Sequence, residues 1–182
     1  MSDEYSETSQ KVLLSTAREA IAARLHSRQP RWPITPAELN EPRGAFVTIH
    51  KHGVLRGCIG RMRAEEPLFE VVREMAVSAA FSDPRFPPLR QEEFNEIHLE
   101  ISVLSPFVPC RPLDVVPGRH GVYLVRGFRS GVFLPQVAPE QGWDREELLE
   151  NLCGKAGLEP GAYLSEGAQL YSFTAFVFGE KE

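Results

Sequence analysis

Residues Leu55-Arg56-Gly57-Cys58-Ile59-Gly60 place a thiol two positions after a guanidinium, with a glycine on either side. The thiolate is the nucleophilic form of cysteine, and a fixed cation favours it. On a strand, Arg56 and Cys58 share a face at a spacing of about 6–7 Å. Gly57 and Gly60 carry no side chain, so a substrate or partner backbone can come close there. The pattern makes Cys58 a candidate nucleophile and Arg56, Gly57 and Gly60 candidate substrate- or partner-binding positions. The same residues also suit a structural role, with a packed cysteine against Phe46 and glycines that permit a bend or bulge.

A nucleophilic thiol needs a base within hydrogen-bond reach. His50 shares the Cys58 face but sits near a turn, about 13 Å away along the strand. His98 and Glu100 lie on one face of a later strand with Ser102, and they are candidate acid/base groups if that strand neighbours the cysteine hairpin. Otherwise they form a solvated polar face. Thr48 falls on the Cys58 face and joins the candidate binding residues. So do Asp83 and Arg85, which flank Pro84 in a loop. There Arg85 can clamp a carboxylate or phosphate with Asp83 holding its guanidinium, or the two can simply cap and brace the loop. Tyr123, Phe133 and Gln136 suit either a groove or a core. His26, His52 and His120 fall in loop or helix-end contexts with no assigned role.

The motif inventory excludes several chemistries. No phosphate-binding loop, dinucleotide fingerprint or HExxH pair is present. The three cysteines, Cys58, Cys110 and Cys153, are widely spaced and form no CxxC pair. No metal and no cofactor is therefore expected. The 182 residues carry a net charge of −5, with 42% hydrophobic and 25% charged residues, as in a globular protein with a true core. An acidic balance gives no global attraction to nucleic acid or to an acidic membrane, and the cluster Arg56, Arg61 and Arg63 reads as a solvated strand end. No apolar run reaches the ~18 residues of a membrane helix, and the first ten residues are polar and acidic. The expectation is a reduced, cytoplasmic protein of undetermined oligomeric state.

The elements that must position these residues follow from periodicity. Leu14, Ala17, Ile21 and Leu25 predict a helix over 9–25, capped by Ser6 or Thr8. Four prolines then break the chain, with one helical turn expected at Pro36–Leu39. Ala45–His50 and Val54–Gly60 predict a β-hairpin. A three-residue loop Lys51-His52-Gly53 would pair Ile49 with Leu55 and Val47 with Gly57, gathering Ala45, Val47, Ile49, Leu55 and Ile59 on one apolar face. A two-residue turn at His52-Gly53 would mix apolar and charged residues on both faces. Residues 65–80 predict the strongest helix, with Pro67 in its first turn. Strict alternation predicts a half-buried strand over 96–104. Strands follow at 121–126 and 131–134, a helix opened by the capping box Asp144–Glu147 and stopped by Gly157, and a last strand over 170–178. Hairpins separated by isolated helices define an α+β class with a mainly antiparallel sheet and flanking helices.

These segments resemble the AMMECR family. The resemblance is carried by Leu55–Gly60, by Gly44-Ala45-Phe46-Val47-Thr48, and by Ala79–Phe86 followed by Pro88-Leu89. Ile97–Leu104 and Phe133-Leu134-Pro135-Gln136-Val137 complete it, all in the family's order from about Val12 to Phe176. It implies a single AMMECR-type domain over 1–182, built of two tightly packed subdomains, the larger holding both chain ends. It brings no settled reaction. Prokaryotic relatives belong to a three-part system with a Memo-like protein and a radical-SAM enzyme, which implies a part in a modification pathway with those partners. A site centred on Cys58 and Arg56 would serve either as an enzyme or substrate-handling site or as a non-catalytic protein-interaction surface.

Overall fold

A computed structural model describes residues 4–181. The described residues divide into two compact units, one running up to Leu104 and resuming at Phe176, the other Ser105–Ala175. The first contains helices α1 (Glu7–Leu25) and α2 (Leu68–Phe81) and strands β1 (Ala45–Lys51), β2 (Val54–Arg61), β3 (Ile97–Leu104) and β8 (Ala175–Gly179), the last beginning at the unit boundary. The second contains β4 (Val108–Pro109), β5 (Gly121–Arg126), β6 (Arg129–Phe133), α3 (Val137–Gln141), α4 (Arg145–Lys155) and β7 (Gln169–Phe173). The α+β class is as the sequence predicts.

In the first unit the sheet runs β2-β1-β3-β8, so β2 is an edge strand. Alternation along β1 and β3 turns Ala45, Val47, Ile49, Ile97, Leu99, Ile101 and Val103 to one face, where all are buried with Val71, Val72, Met75 and Ala79 of α2 and Leu13, Ala17 and Ile21 of α1. Phe46, Thr48, His50, His98, Glu100 and Ser102 occupy the other face and are half-buried. Ser6 caps α1 by accepting from the Ser9 N–H at 3.2 Å. The helix α2 starts later than its periodicity suggests, because Pro67 is its N-cap and leaves Glu65 and Glu66 outside.

The hairpin β1–β2 follows neither simple register. Near the tip the turn has two residues, with His52 at φ 50° and Gly53 at φ 75°, and Lys51 faces Val54 and His50 faces Leu55. Such left-handed pairs match the twist of the flanking strands, and histidine enters this region more readily than most side chains. One residue, Arg56, then bulges out, and pairing resumes one step displaced as Ile49↔Gly57, Thr48↔Cys58, Val47↔Ile59 and Phe46↔Gly60. A bulge satisfies both constraints that an unbroken ladder sets against each other: a tight turn and an apolar inner face. It also corrects the expected placement of Leu55. That side chain lies on the outer side of the bulge with His50 and is 37% exposed rather than in the core.

The two glycines expected to admit a substrate are filled by the protein itself. A Cβ on Gly57 would lie 2.2 Å from the Ala79 carbonyl oxygen, so α2 rests its backbone directly on the strand there. A Cβ on Gly60 would meet the Phe46 ring at a similar 2.2 Å.

In the second unit β4-β7-β5-β6 form the sheet, and Val122, Leu124, Leu148, Leu149, Leu152 and Cys153 are among its core. The capping box forms, with Asp144 accepting from the Glu147 N–H at 2.8 Å and Glu147 accepting from the Asp144 N–H at 2.9 Å. The hairpin β5–β6 turns through only Gly127 and Phe128, shorter than the sequence suggests. The predicted last strand is two strands: β7 pairs with β4 and β5, β8 with β3, and the chain changes sheet at Thr174. Thr174 and Ser105 fix that point, the Ser105 N–H donating to the Thr174 carbonyl at 2.9 Å and the Thr174 N–H to Ser105 Oγ at 2.8 Å.

Gly57→Ala is expected to destabilise the protein by on the order of 3 kcal/mol, since the contacted atom is helix backbone that cannot swing aside. Gly154→Ala, at an exposed helical position with nothing within 4 Å, is expected to stabilise by roughly 0.5–1 kcal/mol. Chemical denaturation of the two variants checks both.

Candidate functional site

Asp83 organises the site. It follows α2, which ends at Phe81 because the next residues run Ser82-Asp83-Pro84 and cannot continue a helix. Its side chain is only 2% exposed. One carboxylate oxygen, Oδ2, accepts from the Cys58 backbone N–H at 2.9 Å and from Arg85 Nη2 at 2.8 Å. The other, Oδ1, accepts from the Arg85 backbone N–H and from Arg85 Nε, both at 3.0 Å. Arg85 Nη2 also donates to the Cys58 carbonyl at 3.3 Å.

The loop therefore clamps both backbone polar groups of Cys58 on the open edge of β2. Because those groups point outward, Thr48↔Cys58 is a pair without mutual backbone bonds, the kind that brings side chains closest. Thr48 Oγ1 and Cys58 Sγ are 3.2 Å apart. Cys58 is half-buried, on the sheet face opposite the helices. Glu100 faces Thr48 across β1–β3, so Cys58, Thr48 and Glu100 form one row over three strands.

Arg56 does not share this row. As the bulged residue it reaches Glu93, donating from Nε to Oε1 at 3.1 Å and from Nη2 to Oε2 at 3.0 Å, with the two side chains 12% and 10% exposed. The cation beside Cys58 is Arg85 instead. Glu93 sits in a 3-10 turn, Gln91–Glu93, and also accepts from Lys51 Nζ at 3.3 Å and the Arg90 N–H at 3.0 Å. Sequence reading missed Glu93. Its only local signal is acidity three residues after Arg90, which any solvated turn could carry.

The candidate bases are also displaced. The strand bearing them neighbours β1, not β2, with His50 opposite His98 and Glu100 two strands from Cys58. No described histidine or carboxylate hydrogen-bonds Cys58 Sγ. Among the described residues no group of three or more His, Cys, Asp or Glu is arranged to hold a metal, and no helix is long and apolar enough to cross a membrane. Tyr123 and Phe133 pack with other aromatic rings, Phe107 and Tyr171 for the former and Trp143 for the latter, while Gln136 is exposed.

The carboxylates are held strongly ionised. Hydrogen bonding from Arg85, then from the Cys58 and Arg85 N–H groups, drives Asp83 well below the usual carboxylate range against the opposing effect of burial. Arg56 first, with Arg90 N–H and Lys51, lowers Glu93 from 4.5 to about 2. Burial pushes the thiols of Cys110 and Cys153 up.

An α+β protein whose edge strand presents a loop-clamped cysteine is thus defined by fold and site together. The chain belongs to the AMMECR1 family, whose model matches residues 14–178. It is 42% identical to a protein of Methanothermobacter thermautotrophicus over 179 residues, 93% of each chain. It is 44% identical to one of Thermococcus gammatolerans over 158 residues, covering 81% of this chain and 77% of that one. A crystal structure of an uncharacterized protein from Pyrococcus horikoshii superimposes with a TM-score of 0.80 at 40% identity, covering 93% of this chain and 90% of that one.

Both carboxylates contribute stability that is fully present above their ordinary pKa and lost as pH falls through the lowered, folded-state value. Unfolding free energy is therefore expected to decline from about pH 5 downward. Glu93→Gln, which strands a buried guanidinium, is expected to cost on the order of 3 kcal/mol at neutral pH and to flatten that acid limb. Urea titrations at a series of pH values measure both.

Proposed function

We propose that this protein is an enzyme or substrate-handling component of a modification pathway, acting with Memo-like and radical-SAM partners, and that Cys58 and Thr48 are the groups that meet the substrate. The observation that carries the reading is the two-sided clamp of Asp83 and Arg85 on the Cys58 backbone. A merely packed cysteine does not need its N–H and carbonyl fixed independently. Here the strand edge is pinned with Sγ beside the Thr48 hydroxyl and the Arg85 guanidinium on the carbonyl of the same residue. Preorganisation of this kind serves a thiol that must meet a substrate atom at a set distance. Arg56, already neutralised by Glu93, braces the bulge rather than binding substrate. Asp83 acts through Arg85 and Cys58 as a positioning residue.

A second reading, a non-catalytic module that offers the same surface to a protein partner, is favoured by one fact: Thr48, not a base, is the hydrogen-bonding neighbour of the thiol. The two readings part on substitution. Under the first, Cys58 alkylates in the native protein well before Cys110 and Cys153, and Cys58→Ser abolishes turnover in a reconstituted mixture with the Memo-like and radical-SAM proteins. Slow, equal labelling of all three cysteines would sink it. Under the second, Cys58→Ser keeps activity while Arg85→Glu abolishes partner association, measured by calorimetry. Retained association with Arg85→Glu removes the second reading.

A further inference from the structure

A second site lies in the first unit, away from the cysteine row. The C-terminal half of α1, the proline-broken segment after it and the outer face of α2 border an open groove of about 850 Å³. Arg73 of α2 stands in its wall with its guanidinium carbon 4.0 Å from the Trp32 ring centroid and 4.6 Å from that of Phe69. The two rings fix the plane of the guanidinium. Its Nε is fully buried without a hydrogen-bond partner, while the residue as a whole is half-buried and lines the groove. Such a group is costly to leave unpaired, and burial lowers the pKa of Arg73, opposed by the charge of Glu70.

The wall around it is set firmly. Glu19 binds the Arg28 guanidinium at 2.6 Å and the Arg31 N–H at 2.5 Å, anchoring the segment that carries Trp32. The lining holds Arg24, Arg28 and Arg73 against Glu70 and Glu74, one net positive charge, with Ala20, Ala23 and Val77 as an apolar floor. Glu74 is already paired with Arg61 at 2.6 Å, and Arg24 is exposed with no described partner. A single positive excess suits a monoanion, and the two glutamates disfavour a polyphosphate. The planar fork matches the two oxygens of a carboxylate. The volume falls within the range of small-molecule pockets, about 300–1,000 Å³.

We infer that this groove binds a small monocarboxylate with an apolar body, its carboxylate on Arg73 and its body on Trp32 and the alanine floor. The probes are 3-phenylpropionate within a panel of aryl and alkyl monocarboxylates, the uncharged 3-phenylpropanamide, and inorganic phosphate. Trp143→Phe leaves Trp32 as the single tryptophan, and its fluorescence reports occupancy. Independently, the Arg73 Nε–H resonance of the unsubstituted protein reports it by NMR. At least one carboxylate of the panel is expected to give a saturable change in both signals, with no response to the amide and a weaker one to phosphate. Arg73→Gln is expected to weaken binding at least about tenfold, and so is Arg73→Lys, which keeps the charge but loses the fork. Silence from the whole panel at millimolar concentration overturns the inference. So does binding that is indifferent to both Arg73 substitutions, or phosphate binding as tight as the best carboxylate. A role for Arg73 confined to pinning Trp32 would show as a lowered melting temperature in Arg73→Gln with no ligand response in the unsubstituted protein.

Discussion

A carboxylate taken out of water must find donors for both oxygens, and Asp83 finds four: the backbone N–H of Cys58 and three groups of Arg85, its backbone N–H, Nε and Nη2. That requirement ties together three parts of the sequence: the end of α2, the loop through Pro84, and the edge of the hairpin. Without it the outer N–H of Cys58 would be an open sheet edge, free to pair with another chain. With it the strand has a fixed boundary. The closeness of Thr48 Oγ1 to Cys58 Sγ then follows from ladder geometry, because the groups that would otherwise bond across to β1 are turned outward.

Sequence patterning located this region but not its inner arrangement. The periodic helices, the alternating strand 97–104 and the capping box at Asp144 are legible because each depends on residues near one another in the chain. The bulge at Arg56 is not. It resolves a conflict between a two-residue turn and an apolar face that is visible only when both strands are set side by side, and a reading that forbids interruptions must sacrifice one or the other. The pairing of Arg56 with Glu93 is hidden for a related reason, since it spans 37 positions and joins a bulge to an irregular turn. The change of sheet at Thr174 leaves little trace, because both strands share one run of alternating apolar residues.

The glycines teach a further point about reading motifs. Gly60 faces Phe46 and Gly121 faces Phe173 in their respective ladders, and in each case the ring lies over the missing side chain. An aromatic ring laid across a cross-strand glycine covers backbone that would otherwise be bare and holds the register. Repetition in a second sheet with no candidate site shows that this arrangement belongs to sheet construction. What sets Cys58 apart is therefore the clamp on its backbone, not the glycines that make the hexapeptide conspicuous.

The switch of sheet at Thr174 bears on how the chain is made. The first unit takes its fourth strand from residues that follow the whole of the second. During synthesis β3 emerges long before β8, so its outer row of N–H and carbonyl groups must wait unpaired while some seventy residues are added. Only then can Glu180 accept from the Leu99 N–H at 2.9 Å and from Arg18 at 2.5 Å, closing the sheet against α1. Vectorial assembly thus leaves a nascent first unit with an open flank. Completion of the second unit and its last crossing sets the moment at which the cysteine-bearing sheet becomes whole.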